Sequence, residues 1–505
     1  MSSKGYPKVP GVDARRFELP LRDPLSGEDY AAAMESLRSH VAEKKRLFLG
    51  YQANQRLGYA ALGDLLDMQL NNLGGPFETG GFGVQSKWVE RAVLDYFASL
   101  WRANRPWDSD DNESYWGYVL SMGSSEGNLY ALWNAREYLE GLSVVGDDEP
   151  GTHDLILREP AEPVPSPVAL CSDQTHYSVR KALRALRIDA QEVKADADGA
   201  IDIEDLRRIA EPNARQQRPM IVILNFGTTF KGAYDDVGAA VRCIRALYDE
   251  HGGGYWHNVP YDDAGNLDRR SRAWFHVDGA LGAAFAPYLE GTPHQLPKFD
   301  FEAGVHSIVT SGHKWMGAPF PCGIYLSKRD YQLFPKAVDY IGAVDSTFSG
   351  SRNGLAPVVL WSYLAQTGFA GNQAKAVRLQ ELAEGAEATL RALDDDLGSD
   401  DLQVHRSPHS LSIVFRGLVS ELTRKYSLSS ERVLRDDGTM WDHYSHIFVM
   451  EHFDPATLAL LVGDIRDRRA NGLAVFKEPD PADAGTGGRG TRIPNSARGY
   501  SGGDG

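Results

Sequence analysis

Three short apolar runs, each followed by small or polar residues, constrain the fold of this chain more than any other feature. The runs are "PMIVILNF", "AWFHVD" and "VHSIVTS", and helical stretches alternate with such runs from about residue 115 to residue 329. Buried parallel strands have this continuous apolar character, and helical connections between them cover both faces of the sheet. We therefore predict an α/β unit with a mostly parallel central sheet, whose ligands bind beyond the carboxyl ends of the strands.

The segments on either side of this unit have different patterns. We predict an N-terminal arm and helical segment over 1–95, a large domain over 96–368, a smaller C-terminal α+β domain over 369–475 and a tail over 476–505. The smaller domain is indicated by the helical "NQAKAVRLQELAEGAEATLRAL" and by the strands "SLSIVF" and "SHIFVM". The tail is rich in glycine, proline and charge, so we expect it to be disordered.

Charge and cysteine content limit the classes of partner. The chain has 53 basic and 69 acidic residues, a formal net charge of −16, which disfavours nucleic acid and anionic membranes as partners. Its three cysteines, Cys171, Cys243 and Cys322, are too few for a disulfide framework or a four-cysteine zinc site, so we expect no metal. The sequence shows no signal-peptide core and no long apolar segment, which favours a cytoplasmic protein with a small-molecule substrate.

The stretch "SGHKWMGAPFPCG" follows one of the apolar runs and places Lys314 between His313 and Trp315. A loop lysine is ordinarily solvated, but these neighbours would desolvate it. Desolvation lowers the pKa of a lysine, and a lysine with a lowered pKa can form a Schiff base with a carbonyl cofactor. We therefore treat Lys314 as a candidate catalytic residue, with a solvated loop lysine as the alternative.

Three other stretches place polar side chains where strands end or helices begin. In "SMGSSEGNLYALWNARE" a small-residue turn opens into a helix at Ser124 and Ser125, which favours a phosphate site or, alternatively, an ordinary helix cap. In "HVDGALGAAF" a strand ends at Asp278, which either reaches a ligand or caps a turn. In "SDQTHYSVRKAL" a helical run follows His176, which either contacts a ligand or caps the helix.

Together these stretches match the needs of one cofactor. Pyridoxal phosphate requires a Schiff-base lysine, a phosphate site, a carboxylate that keeps its pyridine nitrogen protonated and a flat group packed on its ring. Lys314, the helix start at Ser124, Asp278 and His176 supply these in turn. The sequence thus favours a pyridoxal phosphate enzyme.

The motifs "SSEGNLYALWNARE", "THYSVRKALRAL", "NFGTTFKGAYDD", "HVDGALGAAF", "SGHKWMGAPFPCG" and "SGSRNG" occur in one order over about 47–468. In this the chain resembles the group II pyridoxal-phosphate amino acid decarboxylases of fold type I, which share the aspartate aminotransferase-like fold, and especially their bacterial histidine decarboxylase branch. The resemblance implies that Lys314 binds the cofactor covalently, that Asp278 pairs with the pyridine nitrogen and that His176 stacks on the ring.

The resemblance implies further residues and an assembly. Ser124, Ser125, Ser311 and His313 become candidate phosphate ligands, with Thr228 and Ala280 close to the ring. Tyr340, in a loop after the lysine, becomes the candidate proton donor to the substrate α-carbon, with a packing tyrosine as the alternative. The family forms homodimers in which loops of one subunit close the active site of the other, so we expect a two-fold dimer.

The substrate prediction depends on the early segment "RLFLGYQANQRLGY". Bacterial histidine decarboxylases of the resembled branch usually have proline after its Gly-Tyr, whereas Gln52 follows Tyr51 here. The sequence of this segment is more similar to that of L-methionine and L-valine decarboxylases. We predict a neutral L-amino acid substrate, with L-methionine favoured over L-valine and L-leucine and with L-histidine as the alternative. Candidate substrate-binding residues are Tyr51, Gln52, Phe82 and Phe348, for each of which plain packing is the alternative.

Other pyridoxal phosphate enzymes fit the residues less well. Cysteine desulfurases need a cysteine well downstream of the lysine, but the last cysteine, Cys322, is eight positions after Lys314. Sphingosine-phosphate lyases carry a membrane span, and no such segment occurs here. An aminotransferase of fold type I stays open, since it uses the same cofactor. A binding scaffold without activity also stays open, and failure to bind pyridoxal phosphate would favour it.

Overall fold

The computed structural model describes residues 9–103, 114–146, 155–160, 163–260, 265–332, 337–338, 342–398, 401–435 and 439–481. The α-helices in these ranges are α1 (Gly27–Arg46), α2 (Lys87–Leu100), α3 (Ser124–Leu139), α4 (Tyr177–Leu186), α5 (Ile203–Arg215), α6 (Val237–Glu250), α7 (Leu355–Leu397), α8 (Ser420–Lys425) and α9 (Pro455–Ala470). The strands are β1 (Tyr115–Leu120), β2 (Ser143–Gly146), β3 (Leu155–Arg158), β4 (Val168–Ser172), β5 (Asp189–Val193), β6 (Met220–Asn225), β7 (Trp256–Pro260), β8 (Leu267–Ser271), β9 (Ala273–Asp278), β10 (Ser307–Ser311), β11 (Gly323–Lys328), β12 (Ala337–Val338), β13 (Ala343–Val344), β14 (Ser412–Arg416), β15 (Ser429–Leu434), β16 (Met440–Phe448) and β17 (Asp480–Pro481).

A seven-stranded sheet in the order β1-β11-β10-β9-β6-β4-β5 forms the centre of the molecule. Neighbouring strands from β10 to β5 are parallel, and β11 runs antiparallel to both β1 and β10. The three apolar runs form β6, β9 and β10, which lie side by side and are buried at every residue. The predicted mostly parallel sheet is confirmed.

Both faces of this sheet are covered, as a sheet joined by helical crossovers requires. Along β9, Phe275 packs into one apolar cluster and Trp274 into another. Along β6, Val222 and Ile223 divide in the same way. Successive strand residues point to opposite faces, so the two clusters are the cores above and below the sheet. The carboxyl ends of the strands are thereby fixed between two packed layers.

The C-terminal region forms a second, smaller sheet, in agreement with the predicted α+β unit. Its order is β14-β16-β15, and β17 adds to β16. The predicted strands "SLSIVF" and "SHIFVM" correspond to β14 and the end of β16. Phe476 also bridges to Leu418, and β17 extends the pairing to Pro481. The described pairing thus continues past the predicted boundary at 475/476; residues 482–505 lie outside the described ranges.

Two predicted domain boundaries fall within helices. The boundary at 95/96 lies inside α2, and the boundary at 368/369 lies inside α7. α7 is interrupted at Gly368, whose φ of 62° is a left-handed value that glycine adopts without strain. The division into domains stays a prediction. Within the described ranges, none of the helices has the length and apolar character needed to cross a bilayer.

Candidate active site

A cavity of about 270 Å³ lies where β6, β9 and β10 end and where α3 and α4 begin. All the predicted cofactor-binding residues line it: Ser124, Ser125, His176, Thr228, Asp278, Ala280, Ser311, His313 and Lys314. Sheet register explains why residues distant in sequence meet here. Asp278 at the end of β9 pairs with Val309 of the parallel neighbour β10, and Lys314 follows that strand by three residues.

Lys314 lines the cavity, and its side-chain amine is hydrogen-bonded there. Its Nζ donates a hydrogen bond of 2.7 Å to Oε1 of Gln52. Burial lowers the pKa of Lys314 to about 8, against the opposing attraction of the Asp278 carboxylate. Roughly a tenth of the amine is therefore neutral at pH 7, far more than for a solvated lysine with a pKa near 10.4. The predicted desolvation of this lysine is present in the fold.

Trp315, which is 1% exposed, anchors the loop that carries Lys314 in the core. The indole Nε1 donates to Oδ1 of Asn372 at 3.1 Å, and the ring stacks on Phe285 with centroids 5.0 Å apart. The Trp315 carbonyl accepts a hydrogen bond of 2.9 Å from Nζ of Lys375 on α7. These contacts explain why an aromatic residue follows the lysine in a turn.

The Asp278 carboxylate is held by two donors at the bottom of the cavity. Its Oδ2 accepts from Nδ2 of Asn128 at 2.7 Å, and its Oδ1 accepts from the backbone N–H of Ala280 at 3.2 Å. Asn128 in turn lies 2.9 Å from Nε2 of His276, whose Nδ1 lies 2.8 Å from Oγ of Ser307. A buried hydrogen-bonded chain thus orients the carboxylate towards the cavity.

His176 caps α4 and also lines the cavity, so the cap is present and the predicted contact with a ligand stays a prediction. Its Nδ1 accepts from the backbone N–H of Ser178 at 3.3 Å, at the start of α4. Burial lowers the pKa of His176, mainly against the attraction of Asp278. The ring is therefore neutral at pH 7, and with Nδ1 accepting, its hydrogen is on Nε2. A neutral flat ring at this place suits packing against an aromatic ligand.

The start of α3 contributes features to the cavity that suit an anion. Oγ of Ser124 and Oγ of Ser311 lie 2.8 Å apart there, and the backbone N–H of Ser124 donates to Oγ of Ser311 at 3.2 Å. Gly123 precedes the helix with a φ of 71°, and a Cβ there would lie 2.7 Å from Cε1 of His313. Glycine at 123 thus lets the His313 ring approach the helix start.

The residues present fit pyridoxal phosphate by these observations: a desolvated amine, an oriented carboxylate, a flat neutral ring and a hydroxyl-rich helix start surround one cavity. Among the residues that the structure describes, no group of histidine, cysteine, aspartate and glutamate side chains has the arrangement of a metal site. The site therefore contains what the organic cofactor requires.

The predicted substrate-binding residues divide into two groups. Gln52 contacts two residues that line the cavity, because it accepts from Lys314 through Oε1 and donates from Nε2 to the Thr229 carbonyl at 3.0 Å. Tyr51, Phe82 and Phe348 are 49%, 37% and 40% exposed and do not line the cavity within one chain. The candidate proton donor, Tyr340, lies outside the described residues.

Asn128 and Thr229 are among the residues lining the cavity that sequence reasoning missed. Asn128, which bonds Asp278, lies in a quoted motif one helical turn after Ser124. Residues four apart share a helix face, so this spacing was a usable signal. Thr229, which receives Gln52, gave no such signal because its contribution is a backbone carbonyl.

Known proteins resemble this chain over most of its length. The model of the pyridoxal-dependent decarboxylase conserved domain matches residues 46–398. A histidine decarboxylase of Mesorhizobium japonicum is 32% identical, covering 79% of this chain and 90% of that protein. Serine decarboxylase 1 of Oryza sativa subsp. japonica is 30% identical, covering 89% and 78%.

Solved structures agree with these relatives. The L-methionine decarboxylase from Streptomyces sp. 590, in complex with L-methionine methyl ester, superposes with a TM-score of 0.82 at 37% identity, covering 91% of this chain and 98% of that one. A sphingosine-1-phosphate lyase of Burkholderia pseudomallei has a TM-score of 0.63 at 20% identity, a likeness of fold alone. The family sets aside the aminotransferase alternative. The chain belongs to the pyridoxal-dependent decarboxylase family and is an amino acid decarboxylase that uses pyridoxal phosphate.

Proposed function

We propose that this protein converts L-methionine into 3-(methylthio)propylamine and CO2. The likeness to the Streptomyces L-methionine decarboxylase carries the proposal, with 37% identity over 91% of the chain. The histidine decarboxylase of Mesorhizobium japonicum is less similar, at 32% over 79%. The proposal also agrees with Gln52 standing where the resembled histidine decarboxylases usually have proline.

The charge of the cavity supports a neutral substrate side chain. Among the described residues that line it, Asp278 is the one carboxylate, and both its oxygens are engaged. None of those residues is an arginine, and burial lowers the pKa of both His176 and His313. A charged substrate side chain would be desolvated without an ion-pair partner, which is costly. A thioether or an aliphatic side chain carries no such cost.

The proposed roles follow from what each side chain can do. Lys314 would hold the cofactor through its side-chain amine. Asp278, which Asn128 holds in place, would keep the pyridine nitrogen protonated. His176, which lines the same cavity, would pack on the ring face. Bound pyridoxal phosphate supplies an electron-withdrawing ring that weakens the bond between the α-carbon and the carboxylate of the substrate.

The remaining proposed roles concern binding and the final proton. Ser124, Ser125, Ser311 and His313, which all line the cavity, would bind the phosphate, and Thr228 and Ala280 would lie beside the ring. Tyr340 donates the proton that replaces CO2 on the α-carbon. The pair of electrons left by the departing CO2 forms the new C–H bond with that proton, so the reaction needs no oxidant or reductant.

We extend the proposal to a cytoplasmic homodimer, with active sites at the subunit interface. The exposure of Tyr51, Phe82 and Phe348 supports it, because aromatic side chains with large exposed areas on one chain are typical of interface residues. The proposed units are those predicted from sequence, 1–95, 96–368 and 369–475, followed by a tail.

L-Histidine is the second candidate substrate, favoured by the likeness to the histidine decarboxylase. The side chains of L-methionine, L-valine and L-leucine differ in size by about one methylene. In an apolar pocket this difference is worth roughly 1–3 kcal/mol of discrimination. A panel of the twenty common amino acids, with amine formation measured for each, tests the proposal. L-Methionine should give the highest kcat/KM. Exclusive activity on L-histidine or L-serine would overturn the methionine assignment.

A further inference from the structure

His446 lies outside the cavity but joins two segments that flank Lys314. It stands on β16, is 2% exposed, and has a carbonyl oxygen beside each ring nitrogen. Nε2 lies 2.9 Å from the carbonyl oxygen of Gly50, and Nδ1 lies 2.8 Å from that of Phe230. The imidazole also stacks on the Phe230 ring, with centroids 4.6 Å apart. One side chain thus bridges the small domain, the N-terminal arm and the loop after β6.

The Gly50 side of this bridge leads to the lysine. The arm lies against the small domain, because the Leu49 carbonyl accepts from the N–H of Phe448 at 2.7 Å and Gly50 bridges to Leu428. A Cβ at Gly50 would lie 2.3 Å from Cα of Leu428, so the approach requires glycine. Two residues later, Gln52 accepts the hydrogen bond from Lys314.

The Phe230 side leads to the same amide. Thr229 precedes Phe230, and its carbonyl accepts from Nε2 of Gln52 at 3.0 Å. Thr228, one residue earlier, lines the cavity. The position of the Gln52 amide therefore depends on both the arm and this loop, and His446 contacts a backbone carbonyl of each.

The hydrogen-bond partners of the His446 ring indicate which of its nitrogens carries the hydrogen. Burial lowers the pKa of His446, against the opposing carbonyls of Phe230 and Gly50, so the ring is neutral and has one N–H. On the Nδ1 side, the Ser412 hydroxyl lies 2.6 Å from the Phe230 carbonyl oxygen and 3.2 Å from Nδ1, so it supplies a donor there. The ring hydrogen is then on Nε2, and the Gly50 carbonyl receives it. The contact that fixes the arm is thus the one from Nε2.

We infer that His446 is a positioning residue: through Nε2 it fixes the arm at Gly50 and thereby holds Gln52 on Lys314. The inference rests on the proposed role of Lys314 and is independent of which amino acid is decarboxylated. It assigns a function in the active site to a histidine of the small domain that does not line the cavity.

Two substitutions separate the two ring nitrogens. The amide of His446→Gln reaches the place of Nε2, whereas the shorter amide of His446→Asn reaches only the place of Nδ1. The readout is the rate at which trinitrobenzenesulfonate labels Lys314 in cofactor-free protein, measured by mass spectrometry. Labelling should rise roughly two- to twelvefold in His446→Asn, the worth of one hydrogen bond, and should stay near the wild-type rate in His446→Gln.

A double-mutant cycle with Gln52→Ala tests whether His446 acts through Gln52. Gln52→Ala alone should accelerate labelling to a similar degree, and the double variant with His446→Asn should be no faster than either single variant. The control is His443→Asn on the same strand, whose ring bonds Asp480 at 2.8 Å, and its labelling rate should be unchanged. Multiplicative rates in the double variant, or equal rates for the Gln and Asn variants of His446, would overturn the inference.

A separate experiment tests whether the proposed role of Lys314 is itself wrong. Borohydride reduction of wild-type protein with pyridoxal phosphate should leave a pyridoxyl group on Lys314. The absence of a pyridoxyl group on Lys314 would refute the role of Lys314. The positioning of Gln52 by His446 would then have no part in cofactor binding. The presence of that group leaves the labelling cycle as the test of His446 alone.

Discussion

The replacement of Asn128 by leucine should weaken cofactor binding more than any other single substitution in the hydrogen-bonded chain behind Asp278. Asn128 donates to the Asp278 carboxylate at 2.7 Å and lies 2.9 Å from Nε2 of His276. The His276 ring is buried, which lowers its pKa to about 4, so it is neutral. Because the Asn128 oxygen can only accept, the hydrogen of His276 is on Nε2, and the chain of donors points towards Asp278.

The expected magnitude follows from the bond that is lost. A hydrogen bond to a charged group contributes about 1.5–3 kcal/mol, so a carboxylate that must be reoriented loses roughly 10- to 150-fold in affinity for the cofactor. Titration of cofactor-free protein with pyridoxal phosphate, followed by visible absorbance, measures this change. Asn128→Asp should bind at least as weakly, because it sets a second carboxylate against Asp278.

Asn134 on the same helix provides the matched control. It is 1% exposed, like Asn128, but the side chain that it faces is the Tyr325 hydroxyl and not the Asp278 carboxylate. Asn134→Leu should therefore leave cofactor affinity unchanged. A less than threefold loss of affinity in Asn128→Leu, or an equal loss in Asn134→Leu, would refute the reasoning about the Asp278 carboxylate.

Three further predictions concern charges buried in or near the site. Capture of pyridoxal phosphate by cofactor-free protein, followed by stopped-flow absorbance, should accelerate with rising pH through a midpoint near 8, because burial lowers the pKa of Lys314 to about 8 and only the neutral amine attacks; a midpoint near 10.4 would contradict this. Arg352→Met should cost about 3–5 kcal/mol in urea unfolding, because its partner Glu90 is completely buried and would be left unpaired, and Glu90→Leu in that background should recover part of the loss. Lys375→Met should cost about 1–3 kcal/mol, since it removes both the donor to the Trp315 carbonyl and the ion-pair partner of Glu451, and Lys375→Arg, which keeps a cationic donor, should cost less; equal costs would contradict this reasoning.

The parts of the fold that were predictable are those with a local signal. β6, β9 and β10 are continuous apolar runs, and such runs are typical of strands that are buried on both faces of a sheet. The antiparallel β11 and the pairing of β7 with β8 were not predicted, because strand direction and partner depend on contacts distant in sequence. The interruption of α7 at Gly368 was not predicted either.

The candidate site divides in the same way. Lys314, Asp278 and His176 each stand at an element end that the sequence marks, so their meeting could be anticipated from a parallel sheet. The contact between Gln52 and Lys314 joins residues 262 positions apart, and only the fold reveals it. His446 gave no signal because a buried histidine on a strand is ordinarily a packing residue.

Release of labelled CO2 from carboxyl-labelled L-methionine, compared between wild-type protein and Lys314→Ala, tests the central claim most directly. The wild type should release CO2 and 3-(methylthio)propylamine in equal amounts, and Lys314→Ala should release neither above background while remaining folded. Release from L-histidine but not from L-methionine would contradict the substrate, and undiminished release by Lys314→Ala would contradict the site.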